Sequence, residues 1–337
     1  IVFLNFKDYA VINCTVEIAK KLNIYHGFVN SCLKIISKNK NNLINTKIKF
    51  DDLPSWFQLE AKELTAKDKI DFLENFCKEP DIHLVFDSKQ NLNKQKNYIY
   101  KTSDTTGFLK NKIKVEKLFN YRKGNWWVQD FSSSFPLNNL PEKKLDYKNI
   151  DLCAAPGGKS FQVISKHKEI VLNDISKIRI NRLKENLKRL NMNAIILNKD
   201  ILQFDSSNKY DFIILDAPCS SVGTIRRNPE IFFKSKEPNF SKILKLQTKM
   251  LNKASLLLNK NGLILYMVCS FLKRESFDQV ESFIKKNKDF SLNNFYIKKN
   301  EFGYERLVRN KVMYTLPTKI NNFRVDGYFA AYLKKHK

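Results

Sequence analysis

Asp151-Leu-Cys-Ala-Ala-Pro-Gly-Gly-Lys-Ser160 is the stretch that decides the fold. An apolar strand over 149–152 runs into small residues and two glycines, and a helix is predicted to begin near Phe161. Small residues at a strand-to-helix turn let a ligand approach the backbone closely, with the helix N-terminus behind it. The loop Cys153, Ala154, Ala155, Pro156, Gly157, Gly158, Lys159 therefore reads as a cofactor cradle. A Walker A loop would need glycine five residues before Gly158, where Cys153 stands, and GxGxxG is absent. A phosphate-binding P-loop and a dinucleotide fingerprint are both excluded.

Outward from this loop the chain alternates strands and helices. Further strands are predicted at 170–173, 194–197, 212–215 and 263–268, with Lys/Arg-studded amphipathic helices between several of them. That rhythm implies an α/β fold, a mostly parallel sheet covered on both faces, with ligands bound beyond the carboxyl ends of the strands. Asp174 closes the second strand, where an acid would meet ribose hydroxyls, although Asp174 or Ser176 could instead cap the following helix. Asp200 closes the third, beside an adenine edge or as a turn residue. A glycine loop and two acids at successive strand ends describe an adenosyl site. S-adenosylmethionine fits it better than a phosphate-bearing nucleotide, because Lys159 alone is cationic near the loop.

The fourth strand ends in Asp216-Ala-Pro-Cys219 and the fifth in Tyr266-Met-Val-Cys269, so neighbouring strands hold two thiols over one pocket. Two thiols beside an acid suit covalent chemistry on an electron-poor ring. C5 of cytosine is too weak a nucleophile to take a methyl group from a sulfonium, but a thiolate added at C6 makes C5 an enamine carbon. A second group must then remove the C5 proton, and an acid near N3 would stabilise the adduct.

The 337 residues are enough for two or three packed units, and 43% hydrophobic residues argue against wholesale disorder. Sixty Lys+Arg against thirty-four Asp+Glu leave +26, which draws a chain to polyanions, nucleic acid first. Every basic residue before Arg122 is lysine, so part of that charge reflects an AT-rich coding bias. No run of 18 apolar residues exists, and the apolar start at Ile1 meets Lys7 and Asp8 at once, so a cytoplasmic protein without a membrane span is expected. A start on Ile1 implies missing upstream sequence. The six cysteines show no CxxC pair and no histidine at ligand spacing, so neither a metal site nor a disulfide framework is predicted.

DLCAAPGGKS, NDIS, DAPCSSVGTIRRNPEI, YMVCS and the closing Asp326-Gly-Tyr-Phe-Ala330 resemble the NOP/Sun family of RNA 5-methylcytosine methyltransferases over about residues 121 to 337. The resemblance implies a Rossmann-like class I S-adenosylmethionine-dependent methyltransferase sheet, with Cys269 as nucleophile, Cys219 in product release, and Asp216 near the base. It also implies that residues 153–159 with Asp174, Asp200 and Asp216 hold the cofactor. Residues 1–75, through AVINCTVEIAKKLNIYHGFVNSCLKII, look like the end of the NusB-like helical RNA-binding domain fused to bacterial family members that modify small-subunit (16S) ribosomal RNA. Residues 76–120 read as a small α+β linking unit, and 121–337 as the catalytic domain. The sequence departs from the family where Val268 replaces Thr, where Lys273-Arg274-Glu275-Ser276 replaces Pro-Glu-Glu-Asn, and where Leu84-Val-Phe-Asp87 stands for a Leu-Arg-Val-Asn-like segment.

Arg226 and Arg227 are expected to grip phosphates around the target base. Of Trp126 and Trp127, which could stack on bases, at least one is expected in the core. RNA is the expected partner, 16S ribosomal RNA foremost, and no obligate protein partner is implied. Transfer RNA is the alternative substrate, and a non-catalytic RNA-binding assembly factor the alternative class.

Overall fold

The computed structural model describes residues 6–111, 115–118, 120–138, 140–234, 236–295, 297 and 307–337. The apolar start at Ile1 and the end of the α+β stretch at Phe119 lie outside them.

Residues up to Asp52 form one compact unit. Helices Asp8–Lys21 and His26–Lys38 make a hairpin, with Asp8 in the first turn and Lys20 and Lys21 in the last turn of the first helix, each complementing the helix dipole. The reversal uses Asn23 at φ 56°, in the left-handed region that asparagine tolerates, while Gly27 falls inside the second helix. Among the described residues of this unit only Ala19 is buried.

The second unit begins at Leu53, so the helical region expected over 1–75 is divided. The physical reason is aromatic packing. Helices Ser55–Glu60 and Ala66–Asn75, the latter opened by a Thr65–Asp68 capping box, bury Phe57 and Phe72 completely. Those rings lie 4.7 and 6.3 Å from Phe232 and 6.1 and 6.0 Å from Phe271, residues that follow the two cysteine loops.

Strands β1 (His83–Phe86), β2 (Ile99–Lys101), β3 (Thr106–Leu109) and β4 (Trp126–Val128) form an antiparallel sheet in the order β2-β3-β1-β4. Pairing of Val85 with Trp127 carries this sheet past residue 120, the expected end of the α+β unit. His83 is wholly buried in β1, its Nδ1 donating to the Gln129 carbonyl at 2.8 Å and its Nε2 accepting from Thr102 Oγ1 at 3.0 Å. Burial holds its pKa down at about 4, against the Gln129 hydrogen bond and the Asp130 charge. The unfolded chain protonates first, so this stabilisation is complete above pH 6.5 and disappears as pH falls from 6.5 toward 4, about 3 kcal/mol in all. Urea midpoints measured across that window should fall in the wild type and fall less in His83→Gln; equal slopes would remove His83 from the account.

The large sheet holds nine strands among the described residues: β5 (Asn149–Asp151), β6 (Val171–Asn173), β7 (Ile196–Leu197), β8 (Tyr210–Asp216), β9 (Leu258–Val268), β10 (Phe290–Asn293), β11 (Val308–Arg309), β12 (Val312–Thr315) and β15 (Tyr328–Lys335), with β13 (Lys319–Ile320) and β14 (Phe323–Arg324) forming a separate hairpin. Its order is β11-β12-β15-β9-β8-β5-β6-β7, with β10 on β15. The run β9-β8-β5-β6-β7 is parallel, and β15 is antiparallel to β9. This is the expected Rossmann-like sheet. Alternation puts Phe212 and Ile214 of β8 in one core and Ile213 and Leu215 in the other, all fully buried, which is why the strand reads as a continuous apolar run. Chain order reverses at β5, flanked by β6 and β8, and such a switch point opens a crevice at the carboxyl ends.

Candidate functional site

The loop after β5 is closed by its own acid. Asp151 accepts from Ser160 Oγ at 2.7 Å and from the Cys153 amide at 3.2 Å, and burial pushes its carboxyl up to about 6. Gly157 sits at φ 116°, and a Cβ there would lie 2.0 Å from the Phe161 ring, so glycine is required twice over. The helix starts at Gly158, three residues earlier than expected.

After β6, Asp174 accepts from the Ala155 amide at 3.2 Å and from the Ser176 amide at 2.9 Å, while the Ser176 hydroxyl caps the helix Lys177–Leu190. Asp174 therefore ties the cradle to the next strand end and is not the cap. Asp200 caps a short turn through the Leu202 amide at 3.0 Å. Cys153, Asp174, Asp200, Asp216, Cys219 and Cys269 line one cavity of about 300 Å³, with apolar walls from Leu152, Ile201 and Met250. Ala154, Ala155, Pro156, Gly158 and Lys159 line a second of about 360 Å³, with Arg227 and Tyr328. Cys153, Arg179 and Asp216 belong to both, and Gly157 to neither.

Lys159 Nζ lies 2.6 Å from Asp216 Oδ2. Burial would lower the lysine pKa, but Asp216 offsets that by charge and hydrogen bond and the net shift is upward. Its charge is thus largely committed to Asp216.

The register Asp216–Met267 between β8 and β9 carries both chains past the sheet side by side and brings Cys219 and Cys269 together, Sγ to Sγ 3.2 Å. Ser221 Oγ is 3.4 Å from the Cys269 sulfur. A hydrogen bond from the Cys219 thiol lowers the Cys269 pKa, against burial and the Asp216 charge, with Ser221 and Lys159 adding to the lowering. Cys219 is pushed well up, first by its bond to Cys269, then by burial, the Cys269 charge, Glu275 and Asp216. Of the two sulfurs, Cys269 is therefore the easier thiolate. Lys159 is the least of these causes. Cys153 is pushed well up, mainly by burial, and is a neutral thiol.

The two arginines differ from expectation. The Arg226 side chain is wholly buried 3.7 Å from Asp326, so it is not placed to meet a phosphate. Arg227 also binds Asp326 but stays 46% exposed. Trp126 and Trp127 are both buried, Trp127 donating to Gln129 at 2.9 Å, so neither is a free stacking surface. Sequence reasoning missed Ser221, Tyr328 and the buried acid Glu275, none of which carries a spacing signal. Among the described residues no helix is long and apolar enough to cross a membrane, and no group of three or more His, Cys, Asp or Glu is placed to hold a metal ion.

Comparison with known proteins adds an independent line. Residues 140–334 match the family described as 16S rRNA methyltransferase RsmB/F. A Photorhabdus laumondii protein named ribosomal RNA small subunit methyltransferase B is 39% identical over 183 residues, 53% of this chain and 42% of that protein. The chain thus matches less than half the length of that curated relative. Two solved structures share the fold: PH0851, with TM-score 0.73 and 22% identity over 94% of this chain and 75% of the other, and NSun6 from Pyrococcus horikoshii with SFG, with TM-score 0.68 and 17% identity over 83% and 97%. With more than half its length inside the family match and paired cysteines over an acid-lined crevice, the chain belongs to the 16S rRNA methyltransferase RsmB/F family.

Proposed function

We propose that the protein transfers a methyl group from S-adenosylmethionine to C5 of a cytosine in small-subunit (16S) ribosomal RNA, through a covalent bond between Cys269 and C6. The observation that carries this reading is the pair of sulfurs 3.2 Å apart at adjacent strand ends beside Asp216.

The cofactor fits by the chemistry of the groups present. The cavity of about 300 Å³ is at the small end of ligand pockets and is lined by Asp174, Asp200 and Asp216, acceptors for a ribose diol and an ammonium group. Lys159 is engaged with Asp216 and Arg179 with Asp174, and Lys199 stands among three lining carboxylates, a set that disfavours a phosphate. When bound there, S-adenosylmethionine supplies an electrophilic methyl group.

Cys269, as thiolate, adds to C6 and gives C5 the electron density it lacks. The Asp216–Lys159 pair, 2.6 Å apart, holds the base, and a proton passed from that pair to N3 neutralises the charge left by addition at C6 and returns as C5 takes the methyl group. Once Cys269 is a thioether, its share of what holds the Cys219 thiol protonated is gone. Cys219 gives its proton to water, takes the C5 proton as a thiolate, and Cys269 leaves as a thiolate. Arg227, partly exposed on the rim, is the proposed phosphate contact. The N-terminal helices, as a NusB-like region, and the β1–β4 sheet are proposed to hold the RNA.

The test is the Cys219→Ala variant incubated with unmodified small-subunit ribosomal RNA and S-adenosylmethionine. A denaturing gel should show protein shifted by attached RNA, and a second change, Cys269→Ala, should abolish the shift. A folded variant that binds the RNA and gives no adduct would overturn the mechanism, and an adduct formed with transfer RNA alone would move the substrate.

A further inference from the structure

Glu275 is fully buried, and it lines neither cavity. Its Oε1 accepts from the Ser220 amide at 2.8 Å and from Gln247 Nε2 at 3.3 Å. Its Oε2 accepts from Ser270 Oγ at 2.6 Å and from the Ser220 hydroxyl. Ser220 follows Cys219 directly, and Ser270 follows Cys269. One carboxylate therefore binds the residue next to each sulfur. Gln247 extends the tie by donating to the Pro218 carbonyl at 2.9 Å, on the other side of Cys219. Glu275 is itself held from behind, its carbonyl accepting from the buried Tyr266 hydroxyl at 2.9 Å.

A buried carboxylate is costly unless its lone pairs are filled, and here four donors fill them. Three of those donors come from the two cysteine loops, and the fourth also holds the Cys219 loop. An ordinary core would join β8 and β9 with apolar side chains, as these strands do along the rest of their length. Just past the end of β8 the Ala217 amide still donates to the Met267 carbonyl at 2.9 Å, and among the described residues the next backbone link is Gly223 N to Cys269 O at 3.1 Å, on the far side of Cys219 from the strand. The carboxylate also places negative charge on the Cys219 side of the pair.

We propose that Glu275 is a positioning residue of the methylation site: by gathering Ser220 and Ser270 on one carboxylate, it fixes the Cys219 and Cys269 sulfurs within contact and aims the Cys219 S–H at Cys269. This inference rests on the thiol roles proposed above. It differs from a merely structural role, in which losing Glu275 would loosen the fold and leave the inequality of the two cysteines untouched.

The test uses the full chain as wild type, Glu275→Gln and Glu275→Ala, with no RNA present. Brief iodoacetamide labelling across pH 5 to 10, on the order of the thiol range, is read at each cysteine by peptide mass spectrometry, with exposed Cys14 as the internal standard. In the wild type Cys269 should label about tenfold faster than Cys219 near neutral pH. In the variants that ratio should fall toward one and the Cys269 pH midpoint should rise, while Cys14 stays constant. Turnover on ribosomal RNA should drop through kcat, with KM for RNA held. Circular dichroism checks folding, and if both variants fail to fold, the double variant Ser220→Ala/Ser270→Ala, which keeps the carboxylate on the Ser220 amide, carries the same measurement. A folded variant with an unchanged Cys269 to Cys219 ratio and pH profile overturns the proposal, whatever its turnover. Altered labelling in a protein whose Cys219→Ala form makes no RNA adduct leaves the clamp standing and sinks the methylation reading instead.

Discussion

Replacing Cys269 with alanine should reduce methyl transfer to ribosomal RNA by about four orders of magnitude, to background in a labelled-methyl assay. The size follows from the role proposed for the sulfur. Without addition at C6, C5 of cytosine has no route to react with a sulfonium, and no neighbour can take over. Cys219 lies 3.2 Å away, and a sulfur displaced that far from the Cys269 position is out of line for addition at C6. Serine at the same position should fail as badly, because a hydroxyl ionises far above any working pH. Both variants should unfold at urea midpoints close to wild type, because the thiol is only partly buried. Turnover within tenfold of wild type in a folded Cys269→Ala protein would end the covalent mechanism.

The largest stability effect is expected at Asp326. Its side chain is fully buried beside the equally buried Arg226 and takes a hydrogen bond from Arg227, while its backbone amide donates to Asp130 at 3.2 Å. Removing one member of a buried ion pair leaves the other charged and dehydrated. Asp326→Ala should therefore cost about 3 to 5 kcal/mol in urea unfolding. Arg227 can recover through solvent, being 46% exposed, but Arg226 cannot. The double variant Arg226→Met/Asp326→Leu, which removes both buried charges, should regain most of the loss. A single-variant loss under about 1 kcal/mol would mean that water reaches Arg226 and that the pair is not buried in solution.

The contrast between these two sites explains what could be read from the sequence. Cys219 and Cys269 were legible as neighbours because parallel strands β8 and β9 sit side by side, and residues just beyond adjacent strand ends must meet. The glycine loop, Asp174, Asp200 and Asp216 were legible for the same reason. Arg226 was misjudged because its environment is made by Asp326, a hundred residues later. Nothing local distinguishes a loop arginine that faces water from one that a distant carboxylate draws inward. Glu275 was passed over within a run that departs from the family pattern, since its partners Ser220 and Gln247 come from two other segments. The division at Asp52 was equally hidden: Phe57 and Phe72 look like one face of a helical bundle until Phe232 and Phe271 are placed against them.

The position of β15 bears on how the molecule is made. Although it comes late in the chain, it lies inside the sheet between β9 and β12, and the turn that leads into it brings Asp326 to Arg226. That turn also presses Gly327 on Gly223, amide to carbonyl 2.8 Å, where a Cβ on Gly223 would come within 1.8 Å of the Gly327 oxygen. A ribosome therefore releases both cysteines, the glycine loop and every cavity acid before the segment that seats them. Until residues 326–335 emerge, β9 has an open edge, and open edges invite pairing with other chains. Contacts this distant in sequence close slowly. The growing polypeptide is thus an adhesive intermediate, and the proposed activity waits on the emergence of residues 326–335.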